Sequence, residues 1–448
     1  MNQRIALCWM RRDLRLHDHP ALYGALTSGL PVLPVFVFDR SILDDLAQRA
    51  DRRVTFIHEQ LSRLNGELKA VGSGIWGVHA QPTDGWESLL RQLEKRGYQV
   101  EAVHANRDYE PHAQQRDAAI QSLLGSHGIA FHTYRDHVLF EPDEVLKADG
   151  TPYTVFTPYS KRWLANSPEE RLESVASEER LEACVRMEDI PWPSLQEMGF
   201  EPAHDAAFPP INLDAQLLRD YGAQRDLPAV AGTTRLSVHL RFGTVSIREA
   251  MRAGFSHSPK WLTELIWREF YQAIIHHFPH SVEGAFKPAY DAVEWESAGP
   301  EFEAWKAGKT GYPLVDAGMR ELAATGFMHN RVRMVVASFL CKHLLLDWRL
   351  GERWFAEQLL DFELASNVGG WQWAAGTGCD AAPYFRVFNP TSQQEKFDPA
   401  FAYVRKWVPE WGSPEYPKPI VDHKFARLRA IDRYKRALKP DQAQPTLF

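Results

Sequence analysis

The stretch Ile5–Arg15, IALCWMRRDLR, begins with six apolar residues and then changes abruptly to a charged segment. A short, continuous apolar run is typical of a buried β-strand. Four more such runs follow it, at Val32–Phe38, Ile75–His79, Gln99–His104 and Ile129–Tyr134. We therefore predict five strands in the first third of the chain.

The segments between these strands have helical periodicity. Asp51–Val71 places its apolar residues at helical spacing, and Glu87–Arg96 and Gln114–Leu124 follow the same pattern. Strands that alternate with helices predict a parallel, doubly wound sheet. No GxGxxG motif follows the first strand, because Arg11–Arg15 stands in that place. The α/β domain therefore lacks the dinucleotide-binding fingerprint.

The remainder of the chain changes character twice. From Phe140 to Leu213 the sequence is rich in Pro and acidic residues, which predicts a long connection with some helix. Beyond it, helical patterns dominate, as in Pro259–His277, Val332–Trp348 and Glu352–Asp361. The predicted fold is an α/β N-terminal domain followed by an all-α C-terminal domain. The predicted boundaries are 1–135 for the α/β domain, 136–212 for the connection and 213–448 for the helical domain.

Composition narrows the class of protein. A net charge of −7 over 448 residues argues against a surface covered with nucleic-acid-binding charge. Residues 401–448, however, hold ten Lys and Arg against five Asp and Glu, so a local basic face is compatible with the sequence. The four cysteines have no metal-ligand spacing and favour a reducing compartment. Without a signal peptide or a membrane span, we expect a cytoplasmic, soluble protein.

The densest group of chemically useful residues is Asp361–Pro390, DFELASNVGGWQWAAGTGCDAAPYFRVFNP. It places two carboxylates, an Asn, a Gly pair and two Trp within about thirteen residues, which suits a large flat ligand. Within it, Gly376–Ala381 matches GxGxxA, but no strand precedes this match. We interpret the match as fortuitous.

Two further patterns carry chemistry. Glu264, Trp267, Arg268 and Tyr271 fall at i, i+3, i+4 and i+7, so one helical face would combine an acid, an aromatic ring, a base and a phenol. Such a face suits a binding site, and the alternative is a salt-bridged structural face. The TTRLS segment 233–237 suits a phosphate or pyrophosphate, and the alternative is a helix N-cap.

Seven ordered motifs together closely resemble the DNA photolyase and cryptochrome family, with the class I cyclobutane pyrimidine dimer photolyases as the nearest branch. The resemblance implies an antenna-type α/β domain followed by a helical domain that binds FAD in a bent conformation. The motifs are WMRRDLRLHDHPAL, TTRLS, WLTELIWREFY, TGYPLVDAGMREL, TGFMHNRVRM, GGWQWAAGTGCDAAPYFRVFNP and KFDP.

The resemblance also implies which residues contact FAD. Arg333 and Asp361 match the ion pair beside the isoalloxazine, and Asn367 matches the residue facing flavin N5. Plant cryptochromes typically carry Asp in that last place, so the neutral amide favours repair. The full set of implied cofactor-binding residues is Tyr221, Thr233, Thr234, Arg235, Leu236, Ser237, Trp261, Arg268, Arg333, Asp361, Phe362, Glu363 and Asn367.

A substrate pocket and an electron relay are implied in the same way. Trp267 and Trp373 would form apolar walls for a flipped-out dimer, and Glu264 and Asn330 would hydrogen-bond to its base edges. Because the (6-4) branch would carry His in place of Asn330 and Met334, that branch is disfavoured. The implied catalytic residues are Glu264, Trp267, Asn330, Arg331, Met334 and Trp373. The implied DNA-binding residues are Arg225, Glu264, Trp267, Asn330, Arg331 and Gln393, and of these Arg225 and Arg331 would reach phosphates. The implied electron relay consists of Trp371, Trp348 and Trp295.

The implied function is light-driven repair of cyclobutane pyrimidine dimers in UV-damaged DNA by electron transfer from excited reduced FAD. No metal, membrane or protein partner is implied, and a monomer is expected. Two alternatives stay open: a cryptochrome-like blue-light photoreceptor without repair activity, and a flavin-binding helical protein without a DNA partner.

Three departures from the family pattern concern the chromophores. Glu363 replaces an Asp and Val368 replaces an Asn. Because Glu363 keeps the carboxylate, we expect FAD to be retained, in an altered geometry. His112 and Ala113 stand where folate-binding members carry Asn and Glu. A second antenna chromophore therefore keeps an open identity: a deazaflavin, another flavin, or none.

Overall fold

The computed structural model describes residues 2–204 and 207–438. The described chain divides into two compact units. The first contains the residues up to Glu144 together with Trp163–Leu213 and Arg235–Ser256, and the second contains Val145–Arg162, Asp214–Thr234 and the residues from His257 onward. The predicted boundaries near residues 135 and 213 stay a prediction.

The first unit is built on a five-stranded parallel sheet in the order β3-β2-β1-β4-β5, which confirms the predicted doubly wound α/β fold. The central strand is buried along its apolar run from Ile5 to Met10. Every predicted strand is present, with ends shifted by at most two residues. The strands are β1 Gln3–Met10, β2 Val32–Asp39, β3 Trp76–Ala80, β4 Tyr98–Asn106 and β5 Ala130–Tyr134.

Helices make up most of the remaining regular structure. In chain order they are α1 Pro20–Leu26, α2 Arg40–Leu43, α3 Arg52–Lys69, α4 Pro82–Lys95, α5 Pro111–Ser126, α6 Phe156–Ala165, α7 Ala215–Gln224, α8 Ser237–Phe242, α9 Ile247–His257, α10 Pro259–His277, α11 Pro300–Lys306, α12 Pro313–Thr325, α13 Asn330–Ser338, α14 Trp348–Gln358, α15 Leu364–Ala375, α16 Pro390–Phe397, α17 Ala402–Trp407 and α18 His423–Leu438. Short 3₁₀ turns span Pro142–Glu144, Pro168–Arg171, Glu178–Ala183, Pro279–Val282 and Pro288–Ala292. None of the helices in these described ranges is long and apolar enough to cross a bilayer.

The charged segment that follows β1 forms a buried ion-pair network. Asp13 accepts a hydrogen bond from the side-chain amide of Asn106, and Arg15 pairs with Asp136. Arg248 donates to Asp136 at 2.9 Å. Burial opposes ionisation of Asp136, but Arg15 and Arg248 lower its pKa to about 2. The segment in the place of a phosphate-binding loop therefore ties the sheet to α9.

The second unit confirms the predicted helical domain and corrects one of its elements. Val332–Trp348 is not a single α-helix. α13 ends at Ser338, a π-helical segment covers Phe339–Leu344, and Leu345 adopts a left-handed φ of 56° before α14 begins. π-helical turns often lie at functional sites, and this one carries the buried side chains of Lys342 and His343.

Candidate active site

A cavity of about 380 Å³ opens among α10, α13, α14 and α15 of the second unit. Its size is within the usual range for small-molecule and cofactor sites. Twelve of the residues predicted for the cofactor, substrate or relay line it: Arg225, Glu264, Trp267, Arg268, Asn330, Arg333, Met334, Asp361, Glu363, Asn367, Trp371 and Trp373. Tyr271, from the predicted face of α10, and Gly370, from the Gly pair, also line it, as do four residues that the sequence did not indicate: Ala337, Phe355, Leu359 and Ser366.

One wall of the cavity comes from a single face of α10. Helix α10 begins at Pro259 behind Ser258, whose side chain accepts from the backbone N–H of Trp261. From this start, i, i+3, i+4 and i+7 spacing directs the four side chains 264, 267, 268 and 271 to the same cavity. The periodicity alone therefore located this wall.

Ion pairs fix polar groups on the floor of the cavity around Asp361 and Glu363. The guanidinium of Arg333 donates to both carboxylate oxygens of Asp361 at 3.1 and 2.9 Å, and its Nε donates to the carbonyl of Met328 at 2.7 Å. Arg268 donates to Glu363 at 2.8 Å. Because Asp361 is almost fully buried, loss of Arg333 would leave an uncompensated charge.

Glu363, one of the departures from the family pattern, is held by three neighbours. Gln272 donates to it at 3.1 Å and Ser366 donates at 3.0 Å, in addition to Arg268. The extra methylene is thus accommodated with the carboxylate still hydrogen-bonded at the cavity. Val368, the second departure, is buried and lines a separate apolar cavity of about 20 Å³ beside Tyr271.

The orientation of the Asn367 amide is fixed by Glu352. Its Nδ2 donates to the backbone carbonyl of Glu352 at 3.0 Å and to the Glu352 side chain at 2.9 Å. The carbonyl can only accept a hydrogen bond, so the nitrogen must face it and the amide oxygen is left for other donors. Burial raises the pKa of Glu352, while the hydrogen bond from Asn367 opposes that shift. The sequence did not indicate Glu352, which carries no motif of its own.

Arg225 and Glu264 form an ion pair at the cavity. Burial opposes the charge of Arg225, but the Glu264 carboxylate raises the pKa of Arg225 above its ordinary value. The guanidinium of Arg225 also lies 5.3 Å from the ring centre of Tyr221. Two residues predicted for separate tasks are therefore paired with each other.

Arg331 is not among the cavity-lining residues. Its guanidinium donates to Asp226 at 2.8 and 3.3 Å. The nearby His329 caps α13, and burial together with Arg333, Arg331 and Arg225 lowers the pKa of His329 to about 4. The prediction placed Arg331 at the dimer and the DNA backbone, and the contact with Asp226 was not anticipated.

Trp267 is stacked on an aromatic residue that the sequence did not single out. The rings of Phe156 and Trp267 are 3.6 Å apart and almost parallel, at 6°. The backbone N–H of Phe156 donates to Asp380 at 3.0 Å, which fixes the start of α6. Phe156 covers one face of the Trp267 ring and leaves the cavity side of that ring for a ligand.

The tryptophans of the predicted relay are all buried or partly buried. Trp371 lines the cavity and is 2% exposed. Trp348 is 1% exposed, and the guanidinium of Arg349 packs over its ring. Trp295 packs edge-on against Tyr434 with ring centres 5.9 Å apart. Trp371 also contacts Trp305 at 6.1 Å between ring centres, a neighbour outside the predicted relay.

Glycines allow two of the close approaches. A Cβ on Gly351 would lie 2.1 Å from the Trp371 ring, and a Cβ on Gly369 would lie 2.3 Å from the Tyr271 ring. Gly369 therefore serves helix packing between α10 and α15, whereas Gly370 lines the cavity. Gly376 is the left-handed C-cap of α15 and follows a helix, so the fortuitous nature of the GxGxxA match is confirmed.

The other predicted residues are not among those that line this cavity. The boundary between the two units falls inside the TTRLS segment, between Thr234 and Arg235. Leu236 caps α8 without a side-chain hydrogen bond, so a side-chain N-cap does not explain the motif. The predicted residues not lining the cavity are Tyr221, Thr233, Thr234, Arg235, Leu236, Ser237, Trp261, Arg331, Phe362, Gln393, Trp348 and Trp295.

The first unit is an α/β unit without a dinucleotide fingerprint. The helical unit has a cavity that combines tryptophans, an oriented amide and three ion pairs, as expected of a cofactor-binding protein. Residues 6–178 match the family model described as DNA photolyase, and residues 261–414 match the model described as FAD binding domain of DNA photolyase. The chain belongs to the DNA photolyase family, which confirms the resemblance.

Named relatives match almost the whole chain. The deoxyribodipyrimidine photo-lyases of Synechococcus sp. and Escherichia coli are each 36% identical to it, over 98% and 97% of this chain and 99% of each relative. The structure of a class III photolyase from Agrobacterium tumefaciens has a TM-score of 0.85 at 33% identity, covering 98% of both chains. An archaeal photolyase from Sulfolobus tokodaii, described with two FAD molecules, has a TM-score of 0.80 at 32% identity, covering 96% of this chain and 99% of that one.

Proposed function

We propose that this chain is a deoxyribodipyrimidine photo-lyase that uses FAD and light to repair cyclobutane pyrimidine dimers in UV-damaged DNA. The observation that carries the proposal is the single cavity that brings together predicted cofactor residues and predicted substrate residues. Full-length similarity to photo-lyases supports the same function.

The residues present fit FAD. The amide oxygen of Asn367, left available by the two bonds from its nitrogen to Glu352, is suited to accept a hydrogen bond from a ring N–H. Arg333 and Asp361 would hold the edge of the isoalloxazine, and Arg268 with Glu363 would fix a second polar edge. When bound in its reduced and photoexcited form, FAD supplies an electron to the dimer and takes it back.

The protein groups would position the substrate. A covalent dimer is weakly stacked in duplex DNA, so it leaves the helix at reduced cost. Trp267, supported by Phe156, and Trp373 offer apolar surfaces at the cavity, while Glu264 and Asn330 offer polar groups to the base edges. Arg225 would exchange its contact with Glu264 for a DNA phosphate. No protein nucleophile is needed.

A repair assay tests this function directly. Photoreduced protein is mixed with UV-irradiated oligothymidine and illuminated with near-UV to blue light, beside a dark control. We expect dimer content to fall only in the illuminated sample. Unchanged dimer content with bound, photoreducible flavin would contradict repair and favour a cryptochrome-like photoreceptor. Failure to retain flavin would contradict both.

We propose that the protein is a cytoplasmic monomer. The α/β unit would hold any second, antenna chromophore, whose identity stays open. The four cysteines form no disulfide and suit a reducing cytoplasm.

Replacing Phe156 with Ala should weaken binding to dimer-containing DNA several-fold, because an aromatic pair contributes about 0.5–1.5 kcal/mol and its loss frees the Trp267 ring to tilt. The Kd for an oligonucleotide with one dimer is measured against the undamaged sequence. Trp267→Ala sets the scale, at ~1–3 kcal/mol for a lost stacking surface.

Phe156→Tyr is the control, since it keeps the ring. We expect it to bind like the parent. Equal affinity of Phe156→Ala and the parent for the damaged oligonucleotide would remove Phe156 from the site.

A further inference from the structure

Asp226 lies between two arginines that the function assigns to DNA. Its Oδ1 accepts from the Nη2 of Arg331 at 2.8 Å and from the Nε of Arg331 at 3.3 Å. The Nε of Arg225 is 3.9 Å from the same oxygen. One carboxylate oxygen thus faces both guanidiniums.

The guanidinium of Arg331 is also held on its other sides. It lies 4.4 Å from the ring centre of Phe397, and its Nη1 is 3.6 Å from the sulfur of Met334. Asp226 therefore holds the Nε and Nη2 edge, while Met334 lies beside Nη1 and Phe397 covers the guanidinium plane. An arginine fixed in this way binds a phosphate in one geometry.

The charges around Arg225 and Arg331 are balanced. Arg225 pairs with Glu264, and Arg331 pairs with Asp226. Two bases face two acids, so the local attraction for a phosphate backbone is weak despite the arginines. The Asp226 side chain is 40% exposed, against 18% for Arg331, so the carboxylate meets an approaching strand. Backbone attraction is the sequence-independent part of DNA affinity.

We propose that Asp226 is a specificity-determining residue that restrains Arg331 and Arg225 from binding undamaged DNA. Its charge opposes any phosphate, and its hydrogen bonds hold Arg331 in the geometry that a flipped-out lesion uses. A strand without a lesion gains nothing from the cavity to offset the carboxylate. This inference rests on the proposed repair function.

Asp226→Asn tests the proposal. It removes the charge and keeps the shape, so the affinity for undamaged duplex should rise about two- to fivefold, as for one exposed ion pair. The dependence of log K on log salt should steepen by up to ~0.9, the value of one additional phosphate contact. The ratio of damaged to undamaged affinity should fall. All three are measured by fluorescence anisotropy across a salt series.

Two control variants separate charge from position. Asp220→Asn makes the same change in net charge on the nearby helix α7, where Asp220 accepts from Gln216, and it should leave the salt slope unchanged. Asp226→Glu keeps the charge but shifts the position of Arg331, and its salt dependence of binding should equal that of the parent. Circular dichroism of each variant checks the fold.

The outcomes are distinct. Unchanged or weaker binding of Asp226→Asn to undamaged DNA, with a parental salt slope, overturns the role of Asp226. An equal effect of Asp220→Asn overturns it as well, because net charge alone would then explain the result. A parent that neither prefers nor repairs damaged DNA refutes the proposed function, whereas the salt slopes still report whether Asp226 restrains the arginines.

Discussion

Trp371→Phe should slow the light-driven reduction of bound, oxidised FAD by at least about a hundredfold, since a phenyl ring is far harder to oxidise than an indole and each ~59 mV changes a one-electron equilibrium tenfold. Trp371 is the member of the predicted relay that lines the cavity, and it is 2% exposed. An electron that enters the cavity from the relay therefore has to come from this ring.

The measurement is the loss of oxidised-flavin absorbance under blue light with an external reductant. The ratio of FAD to protein is determined for every variant, so that weakened binding is not mistaken for a slow relay. Chemically reduced Trp371→Phe should still repair dimers, because the predicted relay would serve only to restore the reduced state of the cofactor.

Trp305→Phe is the matched control. Trp305 is fully buried and contacts Trp371 at 6.1 Å, but it stands outside the predicted relay. We expect near-parental photoreduction from it. A parental rate of photoreduction in Trp371→Phe would contradict the predicted relay. If Trp305→Phe slows photoreduction as much as Trp371→Phe does, the electron path also includes Trp305.

The features predicted from sequence are those set by local periodicity. Continuous apolar runs indicated the five strands within two residues of their ends, and i, i+3, i+4, i+7 spacing placed the wall of α10 on the cavity. The ends of helices α4 and α5 were less accurate. Both begin earlier than the apolar periodicity indicates because Pro82 and Pro111 suit the first turn of a helix.

The features missed are those set by partners distant in sequence. Phe156 lies in a segment interpreted as a connection, yet it stacks on Trp267; Asp226 meets Arg331 across 105 positions. Neither carries a motif, because its role arises from where the chain places it. The break of the predicted helix 332–348 is likewise invisible in an apolar pattern that continues through Leu345.

Lys342, on the π-helical segment, is a buried amine at the end of α15. It is 1% exposed, and its Nζ donates to the carbonyl of Ala375 at 2.6 Å. The Nζ lies 3.8 Å from the ring centre of Tyr434, whose hydroxyl donates to the same carbonyl at 2.6 Å. Burial lowers the pKa of Lys342 from 10.5 to about 7.

This shift makes stability depend on pH in a definite direction. Below about pH 7, Lys342 is charged in both the folded and the unfolded state, so it contributes no slope. Above that pH the folded state releases the proton while the unfolded state keeps it up to about pH 10.5, so the free energy of unfolding rises with pH. The maximal slope is about 1.4 kcal/mol per pH unit.

Lys342→Met should remove this slope. The thioether has a similar length, and Ala375 keeps the hydrogen bond from Tyr434, so no acceptor is left unsatisfied. Urea unfolding of the FAD-loaded parent and variant at pH 7 and 9 should show the parent gaining about 2 kcal/mol relative to the variant. For the control Lys309→Met, at an exposed lysine, the difference in free energy of unfolding between parent and variant should be the same at pH 7 and pH 9. A parent and a Lys342→Met variant with parallel pH profiles would contradict a depressed pKa and leave the amine charged inside the protein, with Ala375 and Tyr434 stabilising it.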